Sequence, residues 1–459
     1  MADPLLDAAG LTFRYSASSA AALDGITLRL APGESMAVLG PLGSGTSTLC
    51  RAAAGMLVDH GQFSGELRAS PAGLLGDDPE AQLTGMGSTV WDEVLLPARL
   101  TGLSLEAAAH QALALLDQLG LTELTHRPVF ELSGGQRQLT ALASLLVMGR
   151  KLLILDQPGL SLDATARSTL RRVLAQHCAE GGAVLVAGHQ HDELSRFCQR
   201  TVFLNQGRLS GVQDEQPSRE QLSLHGVWDT ADDAPGSERA NSETSSPHPG
   251  NTLLQVQGLS LRRGGKTVLD GVGLDLRAGE ITAVLGPNGA GKSSLLLGLA
   301  GLLPKESSGR IIGPAGVELS TAGAHRRAGY LAWVGQDPGD QLSASTVEAE
   351  LRYATPKRAS GQDIADLLDR VGLADHAETH PYDLSAAQRK DLVLATALLL
   401  RPRVLLLDEP TLGRDKPAMD RISAVLRGFA DDGGAVLVTT HDHRWAAQIS
   451  QQILRVPAQ

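Results

Sequence analysis

The chain is one unit written twice, and this duplication constrains its fold more than any other feature. Leu23-Asp24-Gly25 recurs as Leu269-Asp270-Gly271, and GPLGSGTST at 40–48 recurs as GPNGAGKSS at 286–294. DDPEAQL (77–83) returns as QDPGDQL (336–342), LSGGQRQ (132–138) as LSAAQRK (384–390), LLILDQP (152–158) as VLLLDEP (404–410), and His189 as His441. Landmarks matched in one order describe a tandem duplication, so two similar domains are expected, at 1–224 and 252–459. The stretch 225–251 reads as a flexible linker, because DTADDAPGSERANSETSSPHPGN (229–251) is rich in Asp, Ser, Pro and Gly and nearly devoid of apolar residues.

Within each copy a short apolar run, 35–39 or 281–285, ends in a glycine-rich turn and leads into a helical pattern at 48–55 or 294–301. That order is strand, phosphate loop, helix. The runs 151–155 and 404–407 read as buried strands ending in an acidic residue, and 183–186 and 435–438 as strands ending near a histidine. Uninterrupted apolar strands alternating with helices predict a parallel sheet covered on both faces, with functional residues at the strands' C-terminal ends.

The 286–293 segment fits GxxxxGK[ST]. Gly286, Gly289 and Gly291, spaced by Pro287, Asn288 and Ala290, let backbone N–H groups converge on phosphates; Lys292 places a cation there, and Ser293, followed by Ser294, supplies a hydroxyl for Mg²⁺. Asp408 is the expected Mg²⁺ anchor, and Glu409 beside it can orient and deprotonate an attacking water. In LSGGQ, Ser133, Gly134, Gly135 and Gln136 open a helix whose N-terminal N–H groups suit an anion.

Composition narrows the partners. With 40 Lys+Arg against 51 Asp+Glu the formal charge is -11, the wrong sign for a groove that tracks nucleic acid, so no nucleic-acid partner is expected. The longest apolar runs, such as 392–400, fall far short of the roughly 20 residues that cross a bilayer, and the N-terminal residues lack a basic region leading into an apolar segment. Cys50, Cys178 and Cys198 are widely spaced without any CxxC pairing, which suits reduced thiols in the cytosol.

A phosphate loop, an LSGGQ segment about 20 residues before a strand ending in Asp156, and the repetition of both identify the chain as resembling the ATP-binding cassette (ABC) family over nearly its whole length. The resemblance implies an α/β fold of two tandem P-loop NTPase domains, each with a parallel-sheet core, an antiparallel β subdomain and an α-helical subdomain. It implies ATP and Mg²⁺ as cofactors, and head-to-tail pairing of the two domains, with each ATP between the loop of one and the LSGGQ of the other. It implies that Gln336 is a Q-loop residue sensing Mg²⁺, that His441 contacts the γ-phosphate, and that Asp163 and Asp415 fall in D-loops. Set against that pattern the copies have diverged unequally. In the first, Thr46 stands in place of the lysine, between Gly45 and Ser47 in a loop that keeps Gly40 and Gly43. Gln157 replaces the glutamate after Asp156, Asp77 replaces the Q-loop glutamine, and His189 is kept. In the second the signature is Ser385, Ala386, Ala387, Gln388, whose methyl groups stand where backbone should approach phosphate. Tyr15 occupies the adenine-stacking position of the degenerate site, and Arg263 the equivalent place in the working one. Under head-to-tail pairing all the losses fall in one site, so an asymmetric ATPase with one hydrolytic and one degenerate site is expected.

The DPEAQL and DPGDQL segments resemble the DPxxQL stretch of energy-coupling-factor (ECF) transporter ATPases. That resemblance implies a membrane transport ATPase at the cytoplasmic face of the cell membrane, powering import of a vitamin, vitamin precursor or metal ion. Its partners would be an integral membrane scaffold subunit and a substrate-binding membrane subunit, gripped through the helical segments 84–120 and 343–372, with Trp91 either a groove residue or part of the core packing. A sugar-type or other ABC transporter ATPase, or a soluble translation or regulatory ABC ATPase, remains the alternative.

Overall fold

The computed structural model describes residues 3–16, 18–77, 82–160, 162–231, 250–354 and 359–457. Most of the expected linker, 232–249, and residues 78–81 of the DPEAQL stretch lie outside the described residues. The chain divides into two compact units, Met1–Ala231 with Gly413–Lys416, and Asp232–Leu412 with Pro417–Gln459.

The first unit is built on a six-stranded sheet in the order Arg208–Gln213, Arg200–Asn205, Ser35–Leu39, Ala183–Gly188, Leu152–Asp156, Ala72–Leu75. All neighbours are parallel except the edge hairpin of the first two. Ser35–Leu39 and Leu152–Asp156 are buried along their whole length, and alternate residues feed two cores. Leu153 and Leu155 join the helices Val90–Thr101, Leu105–Gln118 and Gly134–Val147 in one core. Leu152 and Ile154 join the loop helix Thr46–Ala53 and an antiparallel sheet of Leu23–Leu30, Leu6–Tyr15 and Gly61–Ala69 in the other. Two-sided burial is why these strands read as apolar runs rather than as alternating patterns.

The second unit repeats the plan with a five-stranded parallel sheet: Leu331–Val334, Val404–Asp408, Ala435–Thr439, Ile281–Leu285, Gln452–Arg455. Its antiparallel sheet is Lys266–Arg277, Thr252–Arg263 and Ser307–Ile312, and its helices include Val347–Ala354, Gly361–Val371 and Ala386–Leu399. Both units thus carry the parallel core, the antiparallel sheet and the helical layer that the resemblance implies. No helix among the described residues is long and apolar enough to cross a membrane.

The boundary after the first domain differs from the expected Leu224. Residues 225–231, expected in the linker, are folded into the first unit. Trp228–Asp229 pairs in parallel with Gln190–His191, and Trp228 is only 3% exposed. Asp229 accepts from Arg219 at 3.1 Å and from Arg196 at 3.4 Å, with His191 Nδ1 at 3.6 Å. Burial pushes the Asp229 carboxyl up, but the His191 ring beside it and the hydrogen bonds from the Ala231 N–H and Arg219 outweigh burial and hold the group well below the usual carboxylate range. A polar composition hid one buried tryptophan and one buried carboxylate with part-exposed arginine partners.

Candidate functional site

In the second unit the strand Ile281–Leu285 runs into the 286–291 loop and the helix Lys292–Ala300. Gly291 sits at φ 96°, and a Cβ there would lie 2.9 Å from a Val268 methyl group. Its counterpart Gly45 sits at φ 101°, with the Ala22 carbonyl 2.6 Å from the same hypothetical atom. Only glycine fits at either helix start, which explains why both loops keep it.

Three elements bring the polar side chains together. Lys292, buried at the helix start, donates to the carbonyls of Gly286 at 2.7 Å and Pro287 at 3.1 Å, and its Nζ lies 3.2 Å from His441 Nε2. His441 follows the strand Ala435–Thr439; its Nε2 is also 3.2 Å from Glu409 Oε1, and its backbone N–H donates to Glu409 Oε2 at 3.2 Å. Glu409, at the end of Val404–Asp408, adopts φ 47°, a left-handed conformation unusual for a residue with a side chain. Its N–H faces the Thr439 carbonyl and hydroxyl, each at 3.1 Å, and that hydroxyl donates to Asp408 Oδ1 at 2.5 Å. Burial pushes the Glu409 carboxyl up to about 7; the Lys292 cation opposes the rise, Asp408 adds to it, and Lys390 opposes it. A carboxylate tuned near neutrality is suited to accept a proton from water.

Gln336 is exposed, just after Leu331–Val334. The motif beside it has a mechanical role. The Gln341 side chain accepts from the Gly335 N–H at 2.8 Å and donates to the Trp333 carbonyl at 3.1 Å, pinning the turn that presents Gln336. In the first unit Gln82 does the same with the Gly76 N–H at 3.0 Å and the Leu74 carbonyl at 2.7 Å, and presents exposed Asp77. Two buried glutamates not singled out from the sequence complete this brace. Glu350 accepts from the N–H groups of Ser343 and Ala344 at 2.8 and 2.7 Å, and Glu93 from the N–H and hydroxyl of Thr84. Their signal was an acidic residue shortly after a Thr-Val pair in both helix starts, at 89–93 and 346–350.

The first unit keeps the frame with other side chains. Thr46 is buried at its helix start, and the Ser47 hydroxyl hydrogen-bonds Asp156. Burial pushes the Asp156 carboxyl up to about 6, with the Ser47 hydrogen bond opposing. Gln157 repeats the left-handed backbone at φ 54°, its N–H donating to the Ala187 carbonyl at 2.8 Å. His189 is buried, which lowers its pKa, and its Nδ1 lies 2.8 Å from the Gly40 carbonyl, so it rests on the loop itself. The Tyr15 hydroxyl is 3.2 Å from Thr48 Oγ1 on the loop helix, and its ring meets Phe13 edge-on. Arg263, by contrast, is exposed at the end of Thr252–Arg263.

Both signature segments cap helices. Ser133 accepts from the Gln136 N–H at 3.3 Å while its own N–H donates to the Gln136 side chain at 3.0 Å; Ser385 and Gln388 repeat the arrangement at the same distances. The glutamine of the motif thus closes a capping box, which leaves the first-turn N–H groups pointing along the axis. Ala387 is buried in its helix start, and Asp163 caps the helix Ala164–Ala179 through the Ala166 N–H at 2.9 Å.

Ser293, Gln336 and Asp408 offer a hydroxyl, an amide and a carboxylate, an oxygen-only donor set that fits Mg²⁺. Among the described residues no group of three or more His, Cys, Asp or Glu could hold a metal.

A glycine-rich loop between strand and helix, acidic strand ends and a capped LSGGQ helix, built twice on parallel sheets, define a tandem P-loop NTPase of the cassette type. The chain belongs to the ABC transporter family, whose model matches residues 23–159 and 269–412, and it is a tandem-domain ABC ATPase. A "Putative ABC transporter ATP-binding protein" of Bifidobacterium longum is 28% identical over 507 residues, covering 97% of this chain; the chain spans 64% of that relative's length. The "Putative HMP/thiamine import ATP-binding protein YkoD" of Bacillus subtilis is 30% identical over 98% of this chain and 90% of its own length. A chain in the crystal structure of the complex of archaeal ribosomal stalk protein aP1 and ribosome recycling factor aABCE1 aligns with TM-score 0.67 and 20% identity. It covers 97% of this chain and 87% of its own, a likeness of fold alone.

Proposed function

We propose that this ABC ATPase energises an importer of the ECF type and hydrolyses ATP at one of two composite sites. The observation that carries the one-site reading is the contrast between the halves. Lys292, His441 and Glu409 meet within hydrogen-bonding distance in the second unit, where the first has Thr46, Gln157 and a His189 resting on Gly40. In the working site the 286–291 amides cradle the phosphates and Lys292 swings from its loop carbonyls to the γ-phosphate. Ser293, Gln336 and Asp408 would hold Mg²⁺, which when bound would neutralise phosphate charge. Glu409 takes a proton from water as the water oxygen bonds to the γ-phosphorus; the bond to the bridging oxygen breaks, giving ADP and phosphate, while His441 contacts the γ-phosphate. Ser133, Gly134, Gly135 and Gln136 of the first copy close over the same nucleotide by head-to-tail pairing. The second composite site joins Thr46 and Gln157 to Ala386 and Ala387. It lacks the cation and the base, and serves as a static clamp, with Tyr15 stacking on adenine.

Closure around the nucleotide and reopening after phosphate release would be passed to membrane subunits through the Q-loop turns and helical layers. Support for import comes from the DPxxQL segments and from the relative named for HMP/thiamine import. The test is affinity purification of the tagged chain from detergent-solubilised membranes, with mass spectrometry of what accompanies it. One scaffold-like and one or more small integral membrane proteins are expected. Soluble ribosomal partners instead would overturn the transport reading and leave the ATPase standing.

A further inference from the structure

Lys390 is a buried cation that the catalytic reading leaves without a task. It is 6% exposed, lies in the helix Ala386–Leu399 opened by the second signature, and donates to the Glu409 carbonyl at 2.8 Å. An ammonium is expensive to bury, so its place beside a strand end calls for a compensating interaction. Glu409 adopts a left-handed φ of 47°, and contacts on its N–H, its carboxylate and its carbonyl fix where that bend aims the side chain. Thr439 fixes the N–H side of that residue, the His441 N–H fixes its carboxylate, and Lys390 fixes its carbonyl.

The first copy supplies the internal comparison. There the matching residue is Gln138, neutral and 1% exposed, and its Nε2 donates at 2.8 Å to the carbonyl of Pro158, one residue beyond the Gln157 position. The half that keeps the glutamate thus has a cation on that residue's own carbonyl, and the half that lost it has an amide on the next one. We infer that Lys390 is a positioning residue for hydrolysis, a charged tether that holds the Glu409 peptide so that its carboxylate meets the attacking water. This inference rests on Glu409 acting as the base. It also makes one helix serve two ends: the LSAAQ segment at its start and, two residues past Gln388, the strand end of the hydrolytic half.

The test measures steady-state ATP hydrolysis by the full chain carrying Lys390→Gln, the residue found in the first copy. We expect kcat to fall at least tenfold with KM for ATP within twofold of the parent, since Lys390 grips a carbonyl and not the phosphate loop. Lys390→Arg, which keeps the cation, should recover most of the loss. A Lys390→Gln variant with kcat within twofold of the parent, or with its loss carried by KM, overturns the inference. Should that variant lose its cooperative unfolding transition, Lys390→Met is judged by the same two criteria. Glu409→Gln run in parallel separates the two readings. If it is inactive while Lys390→Gln is parent-like, only the tether fails; if it turns over normally, the base assignment fails first.

Discussion

Asp156 ends a fully buried strand in the first unit and is 3% exposed. Burial holds its carboxyl near 6 instead of the ordinary 3.8. Between those two values the native chain binds more protons than the unfolded one, so stability falls as pH rises through the window and stays reduced above it. An interval of about two pH units at 1.36 kcal/mol each amounts to roughly 3 kcal/mol at neutral pH. Asp156→Asn keeps an acceptor for the Ser47 hydroxyl and removes the buried charge. The substitution should therefore stabilise the first unit at about pH 7.5 and change it little at about pH 4.5, where Asp156 is protonated. For a unit of this size that is a rise of roughly 5–10 °C in one calorimetric transition of the full chain. A variant no more stable than the parent at pH 7.5, or one whose gain is the same at both pH values, would refute the buried-charge reasoning.

Glu409→Gln should abolish turnover whereas Gln157→Glu changes it little; residual ATPase above a tenth of the parent in the first variant counts against the one-site assignment. Lys292→Ala should likewise abolish hydrolysis, and Thr46→Lys should raise nucleotide affinity at the first loop, read by a fluorescent ATP analogue, without adding turnover. Asp229→Ala leaves Arg219, Arg196 and His191 without their shared carboxylate; because Arg219 and Arg196 are part-exposed and stay hydrated, the loss should cost the first unit only about 1 kcal/mol, measured by urea unfolding. Because Asp229 is held below its ordinary range, its contribution is present above the unfolded pKa and lost as pH falls through the folded one. The gap between parent and variant should therefore close in strong acid.

The sheet and its loops were legible because two-sided burial writes uninterrupted apolar runs and phosphate loops demand glycine. The expected strands at 35–39 and 281–285 match the observed ones residue for residue, and the loop helices start two residues before the patterns at 48 and 294, at Thr46 and Lys292. Other features were hidden for identifiable reasons. Trp228 and Asp229 sit in a polar stretch whose ion cluster draws on residues 190–219, so local composition points the wrong way. Glu93 and Glu350 accept backbone N–H groups, a partner type with no side-chain signature. Gln82 and Gln341 stood out as members of a motif, but their work on the preceding turn is a matter of backbone geometry. The different resting contacts of His189 and His441 follow from substitutions elsewhere, at positions 46 and 157 against 292 and 409.

The left-handed strand ends at Gln157 and Glu409 have a consequence for engineering. The half without the carboxylate retains the same bend as the half that has it, within a few degrees of φ. Main chain and chemistry have come apart there: the bend belongs to the architecture and the reactive group is an attachment. Exchanging amide and carboxylate at Gln157 and Glu409 is accordingly a change of side chain on a bend that both halves already make.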